Sequence, residues 1–275
     1  MNLSIIIPTL NEEDYLPLLL ESIKKQNFAE GEEDKSSSSA TRATAKGGEE
    51  GILFDSLSLG ESLVYEVIVA DARSQDKTAE IAKSYGCKVV PGGCSPAAGR
   101  NEGAKIAKGD LLLFLDADTI LPERSLENFI GEFKKRNLDI AGFLLRPVGK
   151  NKFIKLLYDL FYNWLILMVE KISSHSGGVI LIKKEIHEKI GGFNEEIKLG
   201  EDSDYMKKTS KFGKFGILKS TRIFYSQRRF ENDGWARTYF KYVLCGLHIF
   251  FFGPVKTDIF NYRFGHYKKS KSKTS

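Results

Sequence analysis

Two aspartates one residue apart, Asp116 and Asp118, close the apolar run "LLLFLDADT" at residues 111–119. A short, unbroken apolar run followed by polar residues and Pro122 reads as a buried strand leaving a sheet. In open α/β sheets the carboxyl ends of the strands are where ligands bind. Two acids held this close repel one another, so a positive group is expected between them and whatever they hold. Further acids stand at similar places. Glu12 and Glu13 follow "LSIIIPTLN", Asp71 ends "YEVIVAD", and Glu201, Asp202 and Asp204 crowd "LGEDSD" at residues 199–204.

The elements that must position these groups can be read from periodicity. Residues 3–7 form a short apolar strand, and Leu16, Leu19, Leu20 and Ile23 share one face of the helix that follows. Asn11 is expected to cap that helix, with Glu12 and Glu13 in its first turn. Strand, loop and helix recur in "YEVIVADARSQDKTAEIAKSYG", where Asp76 is the expected cap. "CKVVPG" is a short strand, and "SPAAGRNEGAKIAKG" a small-residue helix expected to stop at Gly109. Alternating strands and helices predict parallel βαβ units. Three strand exits, at residues 9–12, 71–76 and 116–118, then gather on one sheet edge.

The second half reads as a helix ("LPERSLENFIGEF"), a strand ("DIAGFLLRPV"), a strand with a short helix and Gly turn ("GGVILIKKEIHEKIGGF"), and an acid-headed helix ("GEDSDYMKKTSKFG"). Residues 29–50 contain no large apolar side chain and read as a flexible insertion, extending over about 29–60. The aromatic stretches 153–172 and 239–253 are apolar on nearly every side. Lys155, Asp159 and Glu170 interrupt the first, which is too short for a membrane-spanning helix. It reads as a core helix or as one lying against a membrane or a partner.

Bulk properties set limits. The chain has 275 residues, 42% hydrophobic and 28% charged, with a formal charge of +5. Part of that charge lies in the tail "HYKKSKSKTS", read as a solvated, disordered terminus. No signal peptide is expected at the start. Cys87, Cys94 and Cys245 lack metal-site spacing, which fits a reducing compartment. No zinc knuckle or other nucleic-acid signature is present, so no nucleic acid is expected as a partner.

The order of the motifs is more specific than any one of them. "PTLNEE" follows the first strand and an acid follows the second. Arg100-Asn101-x-Gly103 comes next, then Asp116-Ala117-Asp118, a Gly-Gly-Phe turn and Gly200-Glu201-Asp202. In this order the chain resembles the family 2 glycosyltransferases, inverting enzymes of the GT-A fold, from residue 1 to about 230 apart from the insertion.

The resemblance implies roles. Asp118 is the expected ligand of a divalent cation, Mn²⁺ or Mg²⁺, and Asp116 contacts the ribose or supports the metal, with Ala117 between them. Hard oxygens suit such an ion, which neutralises charge on a departing diphosphate. Asp71 aligns with the acid that reads the nucleobase, and an ionised carboxylate suits the N–H edge of uracil or guanine. Here Ala70 and Ala72 replace the family's usual Asp and Gly, which leaves the base open. Pro8, Thr9, Asn11 and Glu12 resemble the first nucleotide-binding loop, with Glu12 reaching the ribose. Arg100 and Asn101 match base and ribose contacts. Asp202 is the expected general base, with Glu201 as the alternative, because a single displacement needs one carboxylate to take the acceptor's proton. Gly177 and Gly178 let the backbone approach the donor sugar, and His175 is placed beside them. Arg228 and Arg229 are candidates to clamp the diphosphate or an acceptor phosphate. The spacing of "YSQRRFENDGW" does not match processive members, so polymerisation is not inferred.

The expected fold is α/β: a GT-A, Rossmann-like nucleotide-diphospho-sugar transferase domain over residues 1–230, with a mostly parallel central sheet flanked by helices. A C-terminal apolar helix and basic tail follow over residues 231–275. The expected activity is metal-dependent inverting transfer from a UDP- or GDP-sugar to a hydroxyl or phosphate acceptor, on a glycan or a lipid carrier. The expected location is the cytoplasm, peripheral at the inner face of the membrane. A non-catalytic nucleotide-sugar-binding module is the alternative. A nucleotidyltransferase would carry a Gly-rich basic loop after the first strand, and "PTLNEEDY" has neither feature.

Overall fold

The computed structural model describes residues 2–26, 58–59, 61–62, 64–148, 163–170, 178–226, 228, 234, 240, 244–245, 248–249 and 253–257. Nearly all of the insertion and of the C-terminal extension lies outside the described residues.

β1 (Asn2–Thr9), β4 (Val64–Asp71), β5 (Lys88–Pro91) and β6 (Leu111–Phe114) are mutually parallel in the order β5-β4-β1-β6. Between β1 and β4 lies a two-strand ribbon, β2 (Ser58–Leu59) with β3 (Glu61–Ser62). α1 (Leu16–Lys24), α2 (Thr78–Ser84) and α3 (Pro96–Ile106) make the crossovers. The sheet continues β9-β8-β10-β7, through β9 (Ile180–Lys183), β8 (Ile140–Pro147), β10 (Phe215–Tyr225) and β7 (Thr119–Ile120). β9 runs antiparallel to both β6 and β8, and β7 antiparallel to β10, while β8 and β10 are parallel. The sheet is therefore mixed, and the parallel expectation holds for its first four strands and the β8–β10 pair. α4 (Ser125–Lys135), α5 (Trp164–Val169), α6 (Lys184–Lys189) and α7 (Glu201–Thr209) complete the described helices.

The unbroken apolar runs reflect burial on both faces. On β1, Leu3, Ile5 and Ile7 join one core with Val67, Val69, Leu111 and Leu113. Ile6 points the other way and joins Ile68, Leu112, Phe114, Ile180 and Ile182. A strand covered on both sides has no polar face to alternate with.

Two local expectations are corrected. Asn11 does not cap α1: it sits at φ 55° in the turn before it, and the helix begins at Leu16 behind Tyr15. Glu12 and Glu13 are thereby released from the helix into the loop that faces the site. Nor does Gly109 end α3, which stops at Ile106 when Ala107 turns extended. Gly109 instead lies against β1, where a Cβ would come 2.6 Å from the Ser4 nitrogen, and its N–H donates to Ser4 Oγ at 2.8 Å. Lys77 stands at the N-cap of α2, and Asp76, one residue earlier, accepts from the Thr78 nitrogen at 3.0 Å.

α5 leaves Trp164 and Met168, one turn apart, 56% and 60% exposed. No helix among the described residues is long and apolar enough to cross a membrane.

Candidate active site

The exits of β1, β4 and β6 form one wall of the site. Register pairs Thr9 with Asp71 at the ends of β1 and β4. Asp71 Oδ1 accepts from Thr9 Oγ1 at 3.1 Å and from Ser74 Oγ at 2.5 Å, and its Oδ2 accepts from the Ser74 nitrogen at 2.9 Å. A carboxylate has about four lone-pair sites, so room for one further donor remains. Asn11 stitches the two exit loops: its N–H donates to Ser74 Oγ at 2.8 Å and its Oδ1 accepts from the Gln75 nitrogen at 2.9 Å. Arg73, at φ 60°, turns the second of these loops just past Asp71. Pro8 abuts α3, with Gly99 so close that a Cβ there would lie 2.9 Å from Pro8 Cβ.

Arg100 crosses from this wall to the opposite one. Its side chain is 3% exposed. Nη2 donates to Asp116 Oδ1 at 2.8 Å and Nη1 to Glu201 Oε1 at 2.9 Å. One guanidinium thus joins the first acid of Asp-x-Asp to the acidic head of α7, although 101 residues separate Arg100 from Glu201. Burial opposes the charge on Arg100, yet Asp116, Glu201 and Asp202 around it raise its pKa above the ordinary arginine value. Burial likewise raises Glu201, against the pull of Arg100. Asp202 follows on the same helix and is half-buried, with Oδ1 accepting from the Ser203 nitrogen at 2.8 Å.

Beneath Arg100 lies an aromatic platform. Its guanidinium carbon is 5.3 Å from the Phe193 ring centre, and Phe193 stacks on Tyr205 of α7 at 3.7 Å. Tyr205 OH meets His187 Nδ1 at 2.7 Å, and burial pushes His187 down to about 4. Asn101 grips the same turn: Oδ1 accepts from the Phe193 nitrogen at 2.8 Å, and Nδ2 donates to the Phe193 carbonyl at 2.9 Å and to Glu195 at 2.8 Å. The amide of Asn101 therefore holds the turn that carries Phe193 and Glu195.

Arg228 comes in from the far edge of the sheet. Its Nη1 and Nη2 donate to Glu12 at 2.5 and 2.6 Å, and its Nε lies 3.2 Å from Asp118 Oδ2. The guanidinium carbon sits 4.5 Å from the Tyr15 ring centre. Burial raises Glu12 to about 7, opposed by the hydrogen bonds and charge of Arg228. In the ligand-free chain the Glu12 carboxylate is engaged by this two-pronged bond to Arg228.

Asp116 and Asp118 offer the hard oxygens that a Mg²⁺-type ion takes. Among the described residues no cluster of three or more His, Cys, Asp or Glu side chains forms a metal cage. At Gly178 the φ of 89° favours glycine, and a Cβ would fall 2.7 Å from Asp116 Oδ2, so the backbone lies close to this carboxylate. Two carboxylates and the space glycine leaves fit an ion that draws its other ligands from diphosphate oxygens and water. The Ala117 methyl is buried in the core and leaves only backbone to the site. Gly177, His175 and Arg229 lie outside the described residues.

The Glycosyl transferase family 2 profile matches residues 52–194, more than half of the chain. The chain belongs to glycosyltransferase family 2. Curated relatives of this family member include the poly(ribitol-phosphate) beta-N-acetylglucosaminyltransferase TarS of Staphylococcus aureus, 23% identical over 243 residues, covering 83% of this chain and 36% of TarS. The minor teichoic acid biosynthesis protein GgaB of Bacillus subtilis is 28% identical over 251 residues, covering 84% of this chain and 23% of GgaB. The chain thus spans about a third or less of these two proteins. Among solved structures, S. aureus TarS 1–349 with UDP aligns at a TM-score of 0.58 and 21% identity, over 82% of this chain and 60% of that one. The mannosyltransferase PcManGT from Pyrobaculum calidifontis, with GDP-Man and Mn²⁺, aligns at 0.56 and 18%, over 82% and 56%. These likenesses establish the GT-A fold.

Sequence reasoning missed Phe193, Tyr205, Ser74 and Tyr15 as site-builders. The Gly-Gly before Phe193 was a usable signal, since two successive left-handed glycines, at φ 75° and 80°, aim that ring. Tyr15 carried no local signal at all.

Proposed function

We propose that this chain is a metal-dependent inverting glycosyltransferase that moves a sugar from a UDP- or GDP-sugar to a hydroxyl or phosphate acceptor. The observation that carries the reading is the Arg100 bridge, which holds the donor-side Asp116 and the acceptor-side Glu201–Asp202 on either side of one cation. Asp71, with Thr9 and Ser74 fixing its carboxylate, receives a nucleobase N–H. Asp116 and Asp118 would hold Mn²⁺ or Mg²⁺, which supplies positive charge against the departing diphosphate. Asp202 takes the proton from the acceptor hydroxyl as that oxygen bonds to the anomeric carbon and the bond to the nucleoside diphosphate breaks on the opposite face. Glu201, tied to Arg100, keeps α7 in register so that Asp202 faces the acceptor.

The names of TarS and GgaB support a cell-envelope polymer or its lipid-linked precursor as acceptor. The exposed Trp164 and Met168 supply a face for contact with the inner leaflet of the membrane. Asp202→Asn tests the assignment, read as release of nucleoside diphosphate from UDP-GlcNAc, UDP-glucose and GDP-mannose alongside calorimetric donor binding. The expected result is a loss of turnover of about 10²–10⁴-fold with binding kept. A variant that turns over normally contradicts the role of Asp202, and a wild type that binds donor without ever releasing product supports the binding-module alternative.

A further inference from the structure

Both acids of Asp116-Ala117-Asp118 are already paired with an arginine, and the two pairs are built differently. Arg100 is fixed in the core between Asp116 and Glu201. Arg228 is held by Glu12 through both terminal nitrogens and reaches Asp118 through Nε. The backbone sets this placement. β10 pairs Phe224 with Ile120 and Tyr225 with Thr119, and the Ser226 nitrogen donates to the Asp118 carbonyl at 2.9 Å. The Arg228 nitrogen then donates to Ser226 Oγ at 3.2 Å. The segment is zipped to the Asp118 exit itself, so Arg228 cannot slide away from it along the chain.

We propose that the Glu12–Arg228–Tyr15 unit is a latch that occupies Asp118 in the ligand-free protein and releases it when a divalent cation and a nucleoside diphosphate bind together. This rests on reading Asp118 as a metal ligand. A cation bound to the Asp118 carboxylate sits within a few ångströms of the guanidinium, and like charges at that separation repel. The diphosphate resolves the conflict, because its oxygens accept the guanidinium that Asp118 gives up. Glu12 and Tyr15 are positioning residues here. The two-pronged Glu12 bond and the Tyr15 ring keep Arg228 at the rim while its contact to Asp118 is exchanged for one to phosphate. Metal alone therefore binds weakly, and metal and nucleotide bind each other's complexes tightly. By linkage the enhancement is the same in both directions.

The test is Mn²⁺ binding to the full chain, followed by the electron paramagnetic resonance of free Mn²⁺, with and without UDP or GDP. In the wild type either nucleotide that binds raises Mn²⁺ affinity at least tenfold. Arg228→Gln binds Mn²⁺ alone about tenfold tighter than wild type, and the enhancement by nucleotide shrinks. Tyr15→Leu, which keeps every charge, moves Mn²⁺ affinity the same way by a smaller factor and guards against a misfolded charge variant. Unchanged or weaker Mn²⁺ binding in both variants, with normal binding of nucleotide and Mn²⁺ to the wild type, overturns the latch and leaves the donor site standing. A wild type that binds neither nucleotide nor Mn²⁺ overturns the donor-site reading and the latch with it.

Discussion

The Arg100 and Arg228 regions solve the same electrostatic problem in opposite ways. Each neutralises one acid at the exit of β6. Arg100 sits on α3 over a dry aromatic platform, 3% exposed, with acids on both sides. Arg228 sits past the end of β10, 11% exposed, against Glu12 and the quarter-exposed Asp118. The difference lies in what happens when the cation leaves. Glu201, its side chain 14% exposed, is left buried beside Asp202, while Asp116, 42% exposed, turns to water. Glu12, raised to about 7 by burial, can take up a proton, and Asp118 can take up water or metal. One arginine is a structural pillar and the other is exchangeable.

The sharpest way to break this contrast is Arg100→Ala. Removing one partner of a buried ion network leaves uncompensated charge and costs about 3–5 kcal/mol. At ~2–4 °C per kcal/mol the melting temperature should fall by about 10 °C, read by calorimetry. A fall of only a degree or two would mean that the bridge is not a pillar.

The platform under Arg100 makes a pH prediction. His187 is held neutral, its pKa lowered to about 4 by burial and by Lys184, against an ordinary value of 6.5. The unfolded chain therefore binds the extra proton first as pH falls. Stability from this group is fully present above pH 6.5 and is lost progressively down to pH 4, about 3 kcal/mol in all. His187→Gln, which keeps an acceptor for Tyr205, should flatten that part of the stability–pH curve. An identical curve in the variant would show that His187 is not dry.

Arg228→Gln should cost about 1–2 kcal/mol, under half of the Arg100 effect, because Glu12 escapes by protonation. Equal losses at the two sites would erase the distinction between them. The smallest expected effect is at Gly178. Alanine there takes a left-handed φ and presses on Asp116 Oδ2 at 2.7 Å. Donor affinity should drop about tenfold, the equivalent of roughly 1.4 kcal/mol, and the strained backbone, about 1 kcal/mol, should lower the melting temperature by about 2–4 °C.

Sequence alone carried the strand exits well, because apolar runs followed by acids are local patterns. It placed Asp71, Asp116, Asp118 and the head of α7 on elements that the fold brings to one edge. It did not carry partner choice across the chain. Nothing near Glu12 points to Arg228, 216 residues away, and nothing near Asn101 says that its amide grips the Phe193 backbone. The turn at Asn11 was misread as a cap because asparagine suits both a cap and a left-handed turn. The antiparallel β9 was hidden because a strand buried on both faces shows the same apolar run in either direction.

The most direct test of the central claim is calorimetric titration of the chain with UDP and GDP, with and without Mn²⁺, on wild type and Asp118→Ala. One nucleotide should bind in a Mn²⁺-dependent way, and that dependence should disappear in the variant. Nucleotide binding that ignores both Mn²⁺ and the loss of Asp118 would contradict that claim.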